Sequence, residues 1–310
     1  MFLSCTVCGK ATKNVCQLCK IKYYCSFRCQ KVDYKNHREE CGRQKISTFD
    51  GEKVIPNQVF QTWSTTRLPP SMAQTRERLM KKNPSTTFYL YDDKECERFI
   101  AENFSKEVLT AFHALIPGAY KADLWRYCIL YIKGGIYLDI KFDTMNDFYF
   151  ANYLDREYFV LDQPYKINVT IQEDIDFINH SNFFQLFMKK NIWKSKFGIY
   201  NGFMICAKNN PYLKKCIDKI VLHTKTKYYG HNSLYPTGPG LLGEVYFQEN
   251  FEEKFKEFRL FLSRQGEHIL TKNSLILQIY PIYRYEQRRF GTKHYSDLWN
   301  EKKIYKIQIK

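Results

Sequence analysis

Five charged side chains within residues 119 to 143, AYKADLWRYCILYIKGGIYLDIKFD, have types and spacings that suit a binding site. Asp123 and Arg126 lie three apart; Asp139, Lys141 and Asp143 lie two apart. Carboxylates accept hydrogen bonds from hydroxyls or hold a cation, whereas Arg and Lys meet phosphate as charged donors. A second concentration lies at the N-terminus, where Cys5-x2-Cys8, Cys16-x2-Cys19, Cys25-x3-Cys29 and His37-x3-Cys41 supply eight metal ligands in four close pairs. Eight ligands make two tetrahedral zinc sites with no open position, so these metals are structural and not catalytic. A disulfide framework is disfavoured because the eighth position is His and no secretory signal precedes the cluster.

The elements that position the first set follow from periodicity. Up to Lys133, apolar residues recur at helical intervals (Leu124, Cys128, Tyr131, Ile132), which puts Asp123, Arg126, Tyr127 and Leu130 on a neighbouring face. Gly134 and Gly135 stop that helix, because glycine takes positive φ without steric penalty. From Ile136 the period becomes two, with Ile136, Leu138, Ile140 and Phe142 on one side and Tyr137, Asp139, Lys141 and Asp143 in a row on the other. Upstream, VIPNQVFQTW reads as a first strand, with Val59 and Gln61 on one face and Phe60 and Thr62 on the other. Ser71 is a cap for a helix to about Lys82, which Pro84 ends; TTFYLYDD is a second strand, and helices span about 94 to 116. Downstream, EYFVLDQ (157 to 163) and IYNGFMICA (199 to 207) read as strands, and PYLKKCIDKIVLHTK (211 to 225) as a helix with Pro at its start. The YPTGPGLL loop precedes another helix and offers backbone N–H groups to an anion. This alternation predicts an α/β sheet flanked by helices.

The 310 residues accommodate one large domain and a small one. We expect a zinc-stabilised finger over 1–45, a linker over 46–53 and an α/β domain over 54–310. No apolar run of about 18 residues suggests a membrane span, so a cytoplasmic protein is expected. The formal charge of +16 falls to about +13 once seven thiolates and two Zn²⁺ ions are counted. A basic surface suits anionic partners, but no block of five consecutive basic residues occurs, which disfavours nucleic acid.

The finger segment, including YYCSFRCQKVDYKNHREEC, resembles a MYND finger at every ligand, with Tyr34 in place of the usual Trp. The resemblance implies interleaved sites, Cys5, Cys8, Cys25 and Cys29 on one zinc and Cys16, Cys19, His37 and Cys41 on the other. It also implies a protein partner. ADLWRY followed by GGIYLDIK, with VIPNQVFQTW some 60 residues before it, resembles the DxD-containing family 32 glycosyltransferases. That resemblance implies a GT-A-like fold and hexosyl transfer from a nucleotide-sugar donor with retention of configuration. By the same resemblance, Gln61, Trp63, Tyr127, Gly135 and the TGP loop at Gly238 line the nucleotide pocket, and His294 and Trp299 close over it. Asp123, supported by Arg126, and Asp139 hold the ribose or donor sugar. The second acid of the family's DxD, which binds Mn²⁺ on the diphosphate, is Lys141 here. Three readings stay open: a site without Mn or Mg, a metal taken over by Asp143, or an inactive domain serving as an adaptor for the finger. A MYND-bearing lysine methyltransferase is disfavoured, because no SET-like or GxG cofactor loop is present.

Overall fold

The computed structural model describes residues 3–12, 14, 22–26, 28–33, 37, 55–146, 148–162, 168–180, 198–248, 251–290 and 293–306. The chain divides into two units, Met1–Glu52 and Lys53–Lys310. Cys16, Cys19, Cys41, Tyr34, Gln163 and the expected linker lie outside the described residues.

In the first unit, β1 (Leu3–Ser4) and β2 (Ala11–Thr12) pair antiparallel. The Cys5-x2-Cys8 turn between them is closed by Gly9, whose N–H donates to Cys5 O at 2.9 Å from a φ of +72°. Glycine adopts that left-handed backbone without a Cβ clash. Residues 28–33 are helical, and the Tyr24 hydroxyl donates to Asp33 at 2.7 Å. Among the described residues of this unit, Cys5 and Tyr24 are the buried apolar side chains. So small an apolar core leaves metal to supply most of the folding free energy.

The second unit contains β3 (Gln58–Thr62), α1 (Pro70–Lys82), β4 (Thr87–Tyr91), α2 (Asp93–Asn103), α3 (Lys106–Ala114) and α4 (Gly118–Lys133). It continues with β5 (Gly135–Leu138), β6 (Phe142–Thr144), β7 (Tyr158–Asp162), α5 (Ile171–Asn179), β8 (Gly198–Cys206), α6 (Pro211–Thr226) and α7 (Pro239–Tyr246). Last come α8 (Phe251–Glu257), β9 (Leu260–Leu262), β10 (His268–Leu270), β11 (Leu275–Ile279), α9 (Tyr283–Phe290) and α10 (Tyr295–Asn300). The α/β class is as the alternation predicts.

Nine strands among the described residues form one mixed sheet in the order β4-β3-β5-β8-β7-β9-β10-β11-β6. β3 runs parallel to β4 and β5, while β8 is antiparallel to β5 and β7. β5 and β6 stand far apart in that order, yet only Asp139, Ile140 and Lys141 join them, so the sheet curls back toward itself. Strand alternation divides the core. Phe60, Tyr137, Leu161 and Met204 pack with α4 in one cluster; Val59, Ile136, Leu138, Val160 and Phe203 pack in another.

Three local expectations are corrected. The strand expected to run from Ile136 through Asp143 stops at Leu138: Asp139 N donates to Gly202 O at 2.7 Å, and Phe142 N donates back to Asp139 O at 3.2 Å, turning the chain. Phe142–Thr144 then pairs with β11 as a separate strand. Helix α4 is buried on both expected faces from Asp123 to Leu130, because α6 and the sheet enclose it. Ser71 does not cap α1. Pro69 precedes that helix, and the buried Glu286 carboxylate of α9 accepts from Ser71 N (3.0 Å) and Met72 N (3.2 Å), satisfying the first-turn donors from across the fold.

Candidate active site

Helix α4 delivers Asp123 and Arg126 into the interior, one turn apart on one side. Burial pushes the Asp123 carboxyl up from 3.8, opposed by Arg126, Thr237 and Asn201. Asn201 Nδ2 donates to Asp123 Oδ1 at 2.9 Å, and Thr237 Oγ1 donates to Oδ2 at 2.7 Å. The same Asn201 side-chain amide donates to the Tyr127 hydroxyl at 2.9 Å, and the Asn201 backbone carbonyl accepts from Arg126 Nη1 at 2.9 Å. Asn201 is therefore the hub that joins α4 to β8. It reaches there because β8 runs from Ile205 to Tyr200 while β7 advances only from Tyr158 to Val160. Bulges of this kind re-aim side chains.

The turn after β5 presents the second acid. Asp139 Oδ1 accepts from the Tyr137 hydroxyl at 2.9 Å and lies 3.4 Å from Arg126 Nη1; Oδ2 lies 2.9 Å from Lys141 Nζ and 3.3 Å from the Tyr200 hydroxyl. Burial alone would raise Asp139, but Lys141 and Arg126 outweigh it and hold the carboxyl below 3.8. Burial opposes the Lys141 ammonium, and Asp139 overrides that too, keeping it charged. Arg126 stacks 4.3 Å from the Tyr137 ring centroid and lies 3.4 Å from Asp123 Oδ1, so one guanidinium links both acids. Gly202 makes room for this arrangement: a Cβ there would stand 2.5 Å from Asp139 Oδ2 and 2.4 Å from the Tyr200 hydroxyl.

Asp123, Arg126, Tyr127, Asp139 and Lys141 are thus brought together, whereas other expected site residues go elsewhere. Asp143, expected in a row with Asp139 and Lys141, pairs with Arg78 at 2.9 Å because β6 leaves the turn in a new direction. Gly135 lies at the opposite end of β5, where a Cβ would meet Gln58 at 2.8 Å. The TGP loop does not offer its glycine amides to a ligand, since Gly238 N and Gly240 N both donate to Leu234 O. What that loop gives the site is the Thr237 hydroxyl on Asp123. His294 caps α10 and is exposed, and the Trp299 indole donates to Tyr229 O at 2.7 Å. Tyr295 between them lies close enough to Asp123 and Asp139 for their charges to help raise its hydroxyl, although burial dominates. Gln61 is buried, accepting from Arg76 Nε at 3.1 Å, while its Nε2 has no partner among the described residues. Trp63 is half-buried against Met72, Ile140 and Tyr280.

Asn201, Gly202 and Tyr200 escape sequence reasoning, which places Tyr137 and the loop of Thr237 beside the site but assigns those two side chains no role. A signal existed for the first two: an Asn-Gly pair interrupts an otherwise aromatic and aliphatic strand.

The finger presents a different donor set. Sγ atoms of Cys5, Cys8, Cys25 and Cys29 all lie within 4.8 Å of one another, with Cys8–Cys25 at 3.3 Å, Cys25–Cys29 at 3.6 Å and Cys8–Cys29 at 3.7 Å. A tetrahedral zinc with bonds of about 2.3 Å has its sulfurs about 3.8 Å apart, so these four fit one ion. Hydrogen bonds with Cys8 and Cys29 push the Cys25 thiol up to about 12, a proton that a metal would displace. Of the second set, His37 is buried beside Tyr24, and its three cysteines lie outside the described residues.

Comparison with known proteins matches two regions of the chain. Residues 69–160 match the family described as a glycosyltransferase sugar-binding region containing a DXD motif, and residues 5–41 match the MYND finger. The initiation-specific alpha-1,6-mannosyltransferase of Candida albicans is 25% identical over 229 residues, 66% of this chain and 57% of that protein. Inositol phosphoceramide mannosyltransferase 2 of Schizosaccharomyces pombe is 33% identical over 95 residues, 31% of this chain and 27% of that protein. The chain thus spans little more than half of the first relative and about a quarter of the second. Among solved structures, PaToxG Glycosyltransferase aligns with a TM-score of 0.44 at 14% identity, covering 73% of this chain and 80% of that one. Over residues 69–160 the chain is accordingly similar to glycosyltransferase sugar-binding regions that contain a DXD motif, and over residues 5–41 to MYND fingers.

Proposed function

We propose that the α/β unit transfers a hexosyl group from a nucleotide-sugar donor to an acceptor hydroxyl, with retention of configuration, while the finger binds a protein partner. The observation that carries this reading is the buried Asp123–Arg126–Asp139 cluster at the end of β5, inside the matched sugar-binding region. Asp139 is the more accessible acid, its side chain 19% exposed, and its remaining lone pairs accept sugar or ribose hydroxyls. Asp123 is locked by Asn201 and Thr237 and fixes the guanidinium that aligns Asp139. In the reaction the bond from anomeric carbon to diphosphate breaks, the acceptor oxygen takes its place, and the acceptor's proton passes to the departing diphosphate. Fixed donors facing the departing diphosphate lower the barrier because they need no reorganisation as charge develops.

Both relatives are named mannosyltransferases, so GDP-mannose heads the panel of donors to test. Thermal melting of the full chain against UDP- and GDP-sugars should show one donor raising stability by about 2.7 kcal/mol at 100-fold excess over Kd. That donor should also be slowly hydrolysed. A second reading, an inactive adaptor that retains the donor pocket, is favoured by Lys141 at the second DXD position. Donor binding without hydrolysis or transfer to any acceptor would select it.

A further inference from the structure

A divalent cation of the kind the DxD resemblance implies does not fit the residues at the donor site. Among the described residues, the one group of three or more side chains placed to share a metal ion is the cysteine set of the finger. Both Asp139 oxygens already have partners, a tyrosine hydroxyl with a guanidinium on one and an ammonium with a second tyrosine on the other. Asp123 is held by Asn201 and Thr237, and Asp143 by Arg78. An ion coordinated to Asp139 at about 2.1 Å would stand beside the Lys141 ammonium, 2.9 Å from the same oxygen. The two cations compete for one place.

We propose that Lys141 fills that place: its ammonium, held between Asp139, Tyr200 and Tyr283, meets the donor's diphosphate directly, and the donor binds without a divalent metal. The inference rests on the nucleotide-sugar reading above and deepens it. An ammonium has three N–H donors; Asp139 takes one and the Tyr200 hydroxyl is within reach of another, leaving the third for a ligand oxygen. The side chain is 19% exposed, so it is reachable as well as fixed. Ring centroids of Tyr200, Phe142 and Tyr283 lie 5.5, 5.5 and 6.0 Å from Nζ, aromatic walls that hold a cation and keep water from screening it.

The test is calorimetric titration of the full chain, zinc content verified, with GDP, UDP, GDP-mannose and UDP-glucose, in metal-free buffer and again with excess MnCl2. The expected result is equal affinity in the two buffers, a loss of about tenfold or more in Lys141→Met, equivalent to about 1.4 kcal/mol, and partial retention in Lys141→Arg. Lys141→Asp should acquire Mn²⁺ dependence. Binding to the unmutated chain only in Mn²⁺ overturns the proposal and leaves the nucleotide reading standing. A folded Lys141→Met that binds as well as the unmutated chain also overturns it. No binding of any nucleotide in either buffer overturns the nucleotide reading, and this inference with it. Should Lys141→Met fail to fold, the two-buffer comparison on the unmutated chain decides alone.

Discussion

The finger and the α/β site both gather anionic side chains into a small volume, and they differ in what neutralises them. In the finger, four sulfurs converge, no ion pair to them is seen among the described residues, and those residues bury only Cys5 and Tyr24 as apolar groups. At the α/β site, two acids converge with Arg126 and Lys141 already within 3.4 Å, inside a core of fully buried side chains such as Trp125, Tyr127 and Phe203. The difference teaches which unit depends on an ion. Ligands gathered without a counter-charge require a metal to fold, whereas acids that bring their own cations leave folding to apolar burial, at about 1.5–3 kcal/mol per large side chain.

The largest expected effect is metal removal from the finger. A structural zinc contributes about 10–16 kcal/mol of apparent binding energy, so stripping it should abolish amide-exchange protection in residues 3–12 and 22–26. All four tryptophans fall in the Lys53–Lys310 unit, so the tryptophan-fluorescence unfolding curve should not move. A curve that shifts with zinc loss would break the comparison. Next in size, Arg126→Met leaves Asp123 and Asp139 buried without their shared cation, and should lower stability by about 3–5 kcal/mol in urea unfolding. Loss of under 1 kcal/mol would mean that the acids are solvated and the cluster is not the anchor described. Asn201→Leu should destabilise by about 1–3 kcal/mol, since Asp123 and Tyr127 lose a buried donor. Donor affinity, measured on the protein that remains folded, should fall with it.

The smallest effect is in pH dependence. Asp139 sits below its ordinary 3.8, so its contribution to stability is present above that value and lost as pH falls through the lower folded-state value. The stability gap between the unmutated chain and Asp139→Asn should accordingly be open at neutral pH and narrow in acid. An unchanged gap across that range would show that Lys141 and Arg126 do not hold the acid ionised.

Some of this was legible from spacing alone because the physics is local. Cysteine pairs three or four residues apart read as ligands since a single turn brings them onto one ion, and Cys5, Cys8, Cys25 and Cys29 do converge. The helix, the glycine stop and a strand expected from Ile136 and found from Gly135 follow from side-chain periods of 3.6 and 2 and from glycine's freedom at positive φ, +62° at Gly134 and +104° at Gly135. The same local rule misled beyond Leu138. A period of two predicts one row of Asp139, Lys141 and Asp143, but the Phe142 N–H folds back onto Asp139 O, and pairing of Phe142–Thr144 with the distant β11 sends Asp143 to Arg78.

Tertiary structure alone decided the partners. Asn201 reaches Asp123 across 78 positions and Thr237 across 114, and Glu286 caps α1 from more than 200 residues away. Whether a carboxylate is free for a ligand or already satisfied depends on which strand or loop packs against it, and sequence spacing carries no record of that packing. The sequence determined that acids, a lysine and a guanidinium would lie near the end of β5. The fold decided that Lys141 points its charge back at Asp139, because the turn and the aromatic walls of Tyr200 and Tyr283 leave the ammonium its strongest stabilisation there.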